Sequence, residues 1–143
     1  MKSCRVYVFV IVLLALATTA SAEAGRWGLG VGALDGDFNA QLRKDFWLGG
    51  DVSQITGQVG MTFRSKATFR ADADYHFIIK EGKSRFYPLV GIDFAFNSDS
   101  AKFGINAGGG IKFMLTDTMR AFGEVKYIFG GWDGWSFLGG IYF

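Results

Sequence analysis

From Trp27 onward the chain reads as eight runs in which apolar and polar side chains alternate, separated by short polar or glycine-rich turns. Successive side chains of an extended strand point to opposite faces, so each run has one greasy face and one polar face. The first run sets Trp27, Leu29, Val31 and Ala33 against Gly28, Gly30 and Gly32, and ends in the turn Leu34-Asp35-Gly36-Asp37. The second sets Phe38, Ala40, Leu42, Lys44, Phe46 and Leu48 against Asn39, Gln41 and Arg43. Gly49-Gly50 then predicts a two-residue hairpin, since such turns need positive φ. The third run opposes Ile55, Gly57, Val59, Met61 and Phe63 to Gln54, Thr56, Gln58 and Thr62.

The fourth run is the clearest: Phe69, Ala71, Ala73, Tyr75, Phe77 and Ile79 alternate with Thr68, Arg70, Asp72, Asp74 and His76. Lys80 to Ser84 predicts a polar turn. Phe86, Pro88, Val90, Ile92, Phe94 and Phe96 form the greasy face of the fifth run, Phe103 to Phe113 the sixth and Met119 to Phe129 the seventh. The eighth is Trp135 to Phe143, with Trp135, Phe137, Gly139, Ile141 and Phe143 on one side. Of the greasy-face positions only Lys44 is charged, while the opposite faces carry most of the strand charge. A one-residue slip would reverse this everywhere, so the phase of every strand is fixed.

Eight greasy faces are too many for a chain of this size to bury in one core. The pattern predicts an all-β, eight-stranded antiparallel up-and-down barrel whose apolar face looks outward into lipid. Strand direction alternates, and the aromatic side chains then gather at two levels. Phe38, Phe63, Phe69, Phe96, Phe103, Phe129 and Trp135 mark one; Trp27, Phe46, Phe77, Phe86, Phe113 and Phe143 mark the other. Mostly aliphatic residues lie between, as in an apolar band of about 25 Å flanked by aromatic girdles. An even number of strands returns both ends of the barrel to one side, expected to be periplasmic. The outer loops, near residues 34–37, 64–66, 97–102 and 130–134, are then all short. Pro88, which cannot donate to a ladder, falls near the periplasmic rim.

Composition changes this picture at the amino terminus. Lys2 and Arg5 precede an apolar run from Val6 to Ala17 and the small-residue motif Ala20-Ser21-Ala22. This predicts a signal peptide over residues 1–22, cleaved after Ala22 or, as the second choice, after Ala24, with the barrel domain over residues 23–143. The apolar run is too short to span a bilayer, which takes about 20 residues. Cys4 is the only cysteine and leaves with the signal, so neither a disulfide nor a thiolate metal site is expected. Lys2 and Arg5 leave too, which brings the cations level with the 13 acidic groups. Nothing in that balance points to nucleic acid.

Several stretches are similar to a known family. The runs Phe86-Tyr87-Pro88-Leu89-Val90-Gly91, Phe103 to Gly110, Gly123-Glu124-Val125-Lys126-Tyr127 and the terminal Gly140-Ile141-Tyr142-Phe143 resemble the small eight-stranded outer-membrane β-barrels. That group includes the transmembrane domain of OmpA and short relatives such as OmpX. The resemblance implies an outer-membrane location in a Gram-negative bacterium and insertion by the barrel-assembly machinery, with Phe143 as the terminal aromatic of the targeting signal. It supplies no shared catalytic residues. No periplasmic domain follows Phe143, so the peptidoglycan tether of longer relatives is expected to be missing.

The candidate chemistry lies on the inward faces. Arg43, Arg70, Lys112, Arg120 and Lys126 are set against Asp72, Asp74, Asp93 and Glu124, with His76 toward the periplasmic end. An eight-stranded barrel is only wide enough inside for side chains, and buried charges are costly unless paired. The expectation is a closed polar network filling the lumen rather than an ion-permeable pore. Pairing of the fourth and fifth runs places Asp72 opposite Asp93, so the two need Arg70 or a cation from across the lumen beside them, or one of them holds a proton. His76 and Asp74 supply two parts of a nucleophilic site, but Ser136 sits toward the opposite rim. No cofactor and no metal is expected: one histidine with scattered acids makes a poor transition-metal site, and the aspartates lack calcium-loop spacing. The glycine runs lack the helix and lysine of a phosphate loop and are expected to make room for larger inward side chains. Trp132 and Trp135 are expected to anchor in a girdle, with contact to lipopolysaccharide as the other use.

The sequence therefore predicts a monomeric, non-enzymatic barrel with a structural or interaction role and outer-membrane lipid or lipopolysaccharide as its surroundings. Two other classes remain beside it. One is a lipid A-modifying barrel enzyme with His76 as base. The other is a soluble periplasmic carrier of lipocalin type, which needs an apolar interior.

Overall fold

The computed structural model describes residues 25–48, 50–130 and 133–143, and among these the only regular elements are strands. The predicted signal peptide, Gly49 and Trp132 lie outside the described residues. The strands are β1 (Trp27–Leu34), β2 (Asp37–Trp47), β3 (Ser53–Phe63), β4 (Thr68–Phe77), β5 (Ile79–Glu81), β6 (Ser84–Phe96), β7 (Ala101–Met114), β8 (Arg120–Phe129) and β9 (Gly134–Tyr142). All neighbours are antiparallel, and β1 pairs with both β2 and β9, which closes the sheet on itself.

Nine segments make eight barrel strands, because β4 and β5 are one strand interrupted once. Both pair with β6 in a single register, His76 opposite Leu89 and Ile79 opposite Phe86. The ladder lapses beside Pro88, which has no N–H to give. Ile78 at the break is buried, and its N–H donates instead to the Val52 carbonyl at 2.8 Å. The strand then runs on to Glu81, so the predicted turn over Lys80–Ser84 shrinks to Gly82-Lys83, with Gly82 at φ 59°. Ile79–Glu81 is exposed on both faces, beyond the barrel wall, and so carries no alternation for a sequence reading to find.

The predicted Gly49-Gly50 hairpin is corrected in a similar way. Leu48 donates to the Ser53 carbonyl at 3.1 Å and Trp47 pairs with Gln54, leaving a four-residue loop over 49–52. A two-residue loop differs by a shift of two, which leaves every side chain on its own face; alternation cannot tell the two apart. The first turn is as expected, with Leu34 paired to Asp37 and positive φ at Asp35 and Gly36, the type I′ geometry that suits strand twist. Between β6 and β7, the Asn97 side-chain oxygen accepts from the Asp99 and Ser100 N–H groups at 2.9 and 3.0 Å, and the loop closes at Ser100 rather than at residue 102.

The faces are as the alternation predicts. Leu29, Val31, Phe38, Phe69, Val90, Ile92, Phe103, Ile105 and Phe137 are exposed on the outside, while Arg43, Asp74, His76, Lys112 and Lys126 are buried within. Aromatic rings meet across strands at the level where β1 ends and β9 begins: Phe38 and Phe63 lie 5.6 Å apart, Phe69 and Phe96 5.5 Å, Tyr127 and Trp135 5.2 Å. The outward cation Lys44 lies over the rings of Trp27 at 4.8 Å and Phe46 at 5.4 Å, near the other rim.

Inward glycines are where large side chains from other strands come down. A Cβ at Gly28 would sit 2.7 Å from the Tyr142 ring, and one at Gly110 2.4 Å from the Tyr87 hydroxyl. The interior also holds two small apolar groups, Phe122 with Leu138 and Tyr142, and Ile78 with Tyr87 and Leu89.

Candidate functional site

The inward charges of the sequence form paired sets across the lumen. Arg43 on β2 reaches Glu124 on β8 at 2.7 Å, both fully enclosed, and the Tyr87 hydroxyl donates to the same carboxylate oxygen at 3.0 Å. The Arg43 guanidinium also lies 4.4 Å from the centre of the Phe122 ring, so its flat face is covered by aromatic surface. Lys126 on β8 bridges Asp74 at 2.7 Å and Asp72 at 3.0 Å on β4. Asp74 further accepts from Asn106 on β7 at 2.9 Å and from Gln58 on β3.

Asp72 lies opposite Asp93 in the β4–β6 ladder. The cations that two facing carboxylates require are both present: Arg70 pairs with Asp93, and Lys126 crosses the lumen to Asp72. Lys112 on β7 bonds Asp45 on β2 at 2.8 Å, and Thr56 donates to the other oxygen of Asp45 at 2.8 Å while accepting from Gln54. Every ion pair here joins residues more than 20 positions apart, so the network cross-braces the barrel wall.

Two predicted members stand differently. His76 is fully buried, but Asp74 is not its partner: successive inward residues on one strand are about 6.6–6.8 Å apart. The His76 ring stacks on Tyr87 at 4.3 Å between centroids, and its Nδ1 is 3.4 Å from the Thr56 hydroxyl. Ser136 lies on β9 opposite Lys126, whereas the described partners of His76 are Thr56 and Tyr87. Arg120, at the start of β8, makes no ion pair among the described residues, and its Nε is buried without a partner. Phe143 closes the last strand through its N–H, which donates to the Trp27 carbonyl at 2.8 Å, and its ring is exposed.

Asp45, Tyr87 and Tyr142 belong to the interior and were not singled out by the sequence. The signal for Asp45 was present, two residues after inward Arg43 on the same strand. Tyr87 and Tyr142 were hidden because an inward aromatic looks like any other aromatic until its partners are known. Near the middle of the lumen, Asn39, Gln41, Gln58, Gly60, Arg70 and Asp72 line a void with room for about one water molecule. Oxygens of Asn39, Gln41, Gln58 and Asp72 around it have no protein partner. The arrangement braces and fills the barrel, with His76 buried inside it.

No protein-family model matches the chain, and no curated protein matches it. Solved structures do match. The N-terminal β-barrel domain of Pseudomonas aeruginosa OprF is similar with a TM-score of 0.74 at 16% identity, over 85% of this chain and 97% of that one. Neisserial surface protein A gives 0.64 at 8% identity, over 82% and 92%. The outer membrane enzyme PagL gives 0.53 at 14% identity, over 82% and 97%. At such identities the likeness is one of fold: a closed, eight-stranded antiparallel barrel of the small outer-membrane type.

Proposed function

We propose that this chain is an integral outer-membrane barrel of a Gram-negative bacterium, exported by a cleaved signal peptide, inserted by the barrel-assembly machinery, and working as a monomeric, non-enzymatic structural or interaction component of that membrane. One observation carries the reading: large apolar side chains cover the outside while paired charges fill the inside. In water such a surface would far exceed the few hundred Å² of contiguous apolar patch that soluble monomers expose. In a bilayer it is the matched surface, with the girdles at the headgroup level and lipopolysaccharide and phospholipid as its surroundings. The lipocalin reading fails on the same observation, since the interior is polar and charged.

The enzyme reading gains no support from the interior. His76 is enclosed and stacked on Tyr87. His76→Ala should leave the lipid A profile by mass spectrometry unchanged, and a changed profile would restore that reading. The membrane reading is tested by fractionation with gel migration of heated and unheated samples. The protein should sediment with outer membranes and migrate faster when unheated. Planar-bilayer recordings should show no defined conductance steps; recovery in a detergent-free periplasmic extract, or regular steps, would refute the proposal.

A further inference from the structure

Strand register gathers the walls of the void between β2, β3 and β4. Gln41, Gly60 and Arg70 form one row across the three strands, and Gln58 lies opposite Asp72 in the next inward row. Directly paired residues of an antiparallel ladder have Cα atoms about 4.5–5.5 Å apart, so these inward side chains share one small volume. Gly60, in the middle of its row, has no side chain to fill it, and the void lies against it.

Three side chains on this wall are each only half used. Gln58 gives its Nε2 to Asp74, which leaves its Oε1 as an acceptor. Asp72 receives Lys126 on Oδ2 at 3.0 Å, which leaves Oδ1. Arg70 pairs with Asp93 through Nη2, which leaves Nη1 as a donor. All three remaining atoms are buried and have no partner among the described residues. The bonds already made fix their roles, so neither acceptor can become a donor and the guanidinium cannot accept. Buried polar atoms in protein interiors are served in the great majority of cases.

A ligand at this place has to donate twice and accept once. A metal cation cannot accept from Arg70, and an anion without a proton cannot donate to Gln58 or Asp72. Water does both, and the void has room for about one molecule of it. We propose that this void is a binding site for a single water molecule, which donates to Gln58 Oε1 and Asp72 Oδ1 and accepts from Arg70 Nη1. Its fourth bond comes from Asn39 or Gln41 on β2, whose carboxamides also line the void and present an N–H after a half-turn. The water thereby ties β2 to β3 and β4 at the point where the ion pairs draw Arg70 toward β6 and Asp72 toward β8. All of these groups face the lumen, so the site does not depend on what surrounds the barrel.

The refolded, isotope-labelled chain in detergent micelles should show a nuclear Overhauser contact between a long-lived water and the side-chain amide of Asn39 or Gln41. Asn39→Leu fills the void with apolar atoms and displaces the water. The contact at Gln41 should then vanish, and the folding equilibrium constant in urea titrations should fall by about tenfold or more, because buried polar groups lose their partner. Asn39→Ser, which leaves room and a hydroxyl, should keep the water. Thr62→Val, opposite Asn39 but outside the wall of the void, should keep it too. Gel migration of heated and unheated samples checks that each variant folds. Replacing sodium by choline at fixed ionic strength should change neither the contact nor the stability. A folded chain without the water contact, or an Asn39→Leu variant as stable as its parent, would show a dry void and overturn the proposal. A sodium-dependent gain in stability that Asn39→Leu abolishes would assign the void to a cation and overturn it equally.

Discussion

Replacing Arg43 with Met tests whether the lumen is a dry, charge-paired filling. Arg43 has no exposure, and it is the sole cation bonded to Glu124. Without it, the Glu124 carboxylate keeps one donor, the Tyr87 hydroxyl, in a site where its other oxygen already lacks a partner. Removing one member of a buried pair costs about 3–5 kcal/mol, because the remaining charge stays desolvated. Glu124→Gln leaves Arg43 buried, but with the ring faces of Phe122 and Tyr142 at 4.4 and 5.9 Å still beside it. Cation–π contact returns about 0.5–2 kcal/mol, so this single change should cost less, about 2–3 kcal/mol.

The double variant removes both charges and should recover much of the loss, giving a coupling energy of about 2 kcal/mol or more. Urea unfolding in detergent or lipid, followed by tryptophan fluorescence and checked by gel migration, measures all three. Losses below about 1 kcal/mol that simply add would refute the reasoning. They would mean that both charges are already solvated, and hence that the lumen is wet.

Two further outcomes follow from the same coordinates. Val90 is exposed on the outward face near the middle of β6, so Val90→Arg should destabilise the barrel in a bilayer by about 2–4 kcal/mol; no loss would place that face in water. The loop carboxylates Asp99 and Asp51 are held below the usual range, first by hydrogen bonds from Lys66 and Lys80 respectively. Their contacts are therefore complete above the ordinary carboxylate pKa of about 3.9 and are lost only as pH falls through the lower folded values. Carboxyl NMR titration should find both midpoints below that value at low salt and nearer to it in high salt; ordinary midpoints at low salt would show that the pairs do not form in solution.

The order and phase of the strands were legible along the chain. Period-two alternation is local, and a slip of one residue would put Asp72, Lys112 and Lys126 on the apolar outer face, so only one phase is energetically open. The inward placement of Arg43, Asp74 and Glu124 follows from that alone. The shortened 82–83 turn and the four-residue loop over 49–52 were not legible, because a shift by two preserves every face and an exposed hairpin tip has no alternation to read.

The partners inside the barrel belong to tertiary structure. His76 looked like a neighbour of Asp74 along the strand, yet it stacks on Tyr87 from β6, while Asp74 goes to Lys126 from β8. Such contacts depend on how far each strand is staggered when β1 meets β9, a property of the closed sheet as a whole. Sequence determined which side chains point inward, since that is a property of each strand by itself; closure determined which of them meet, since only it sets their heights across the lumen.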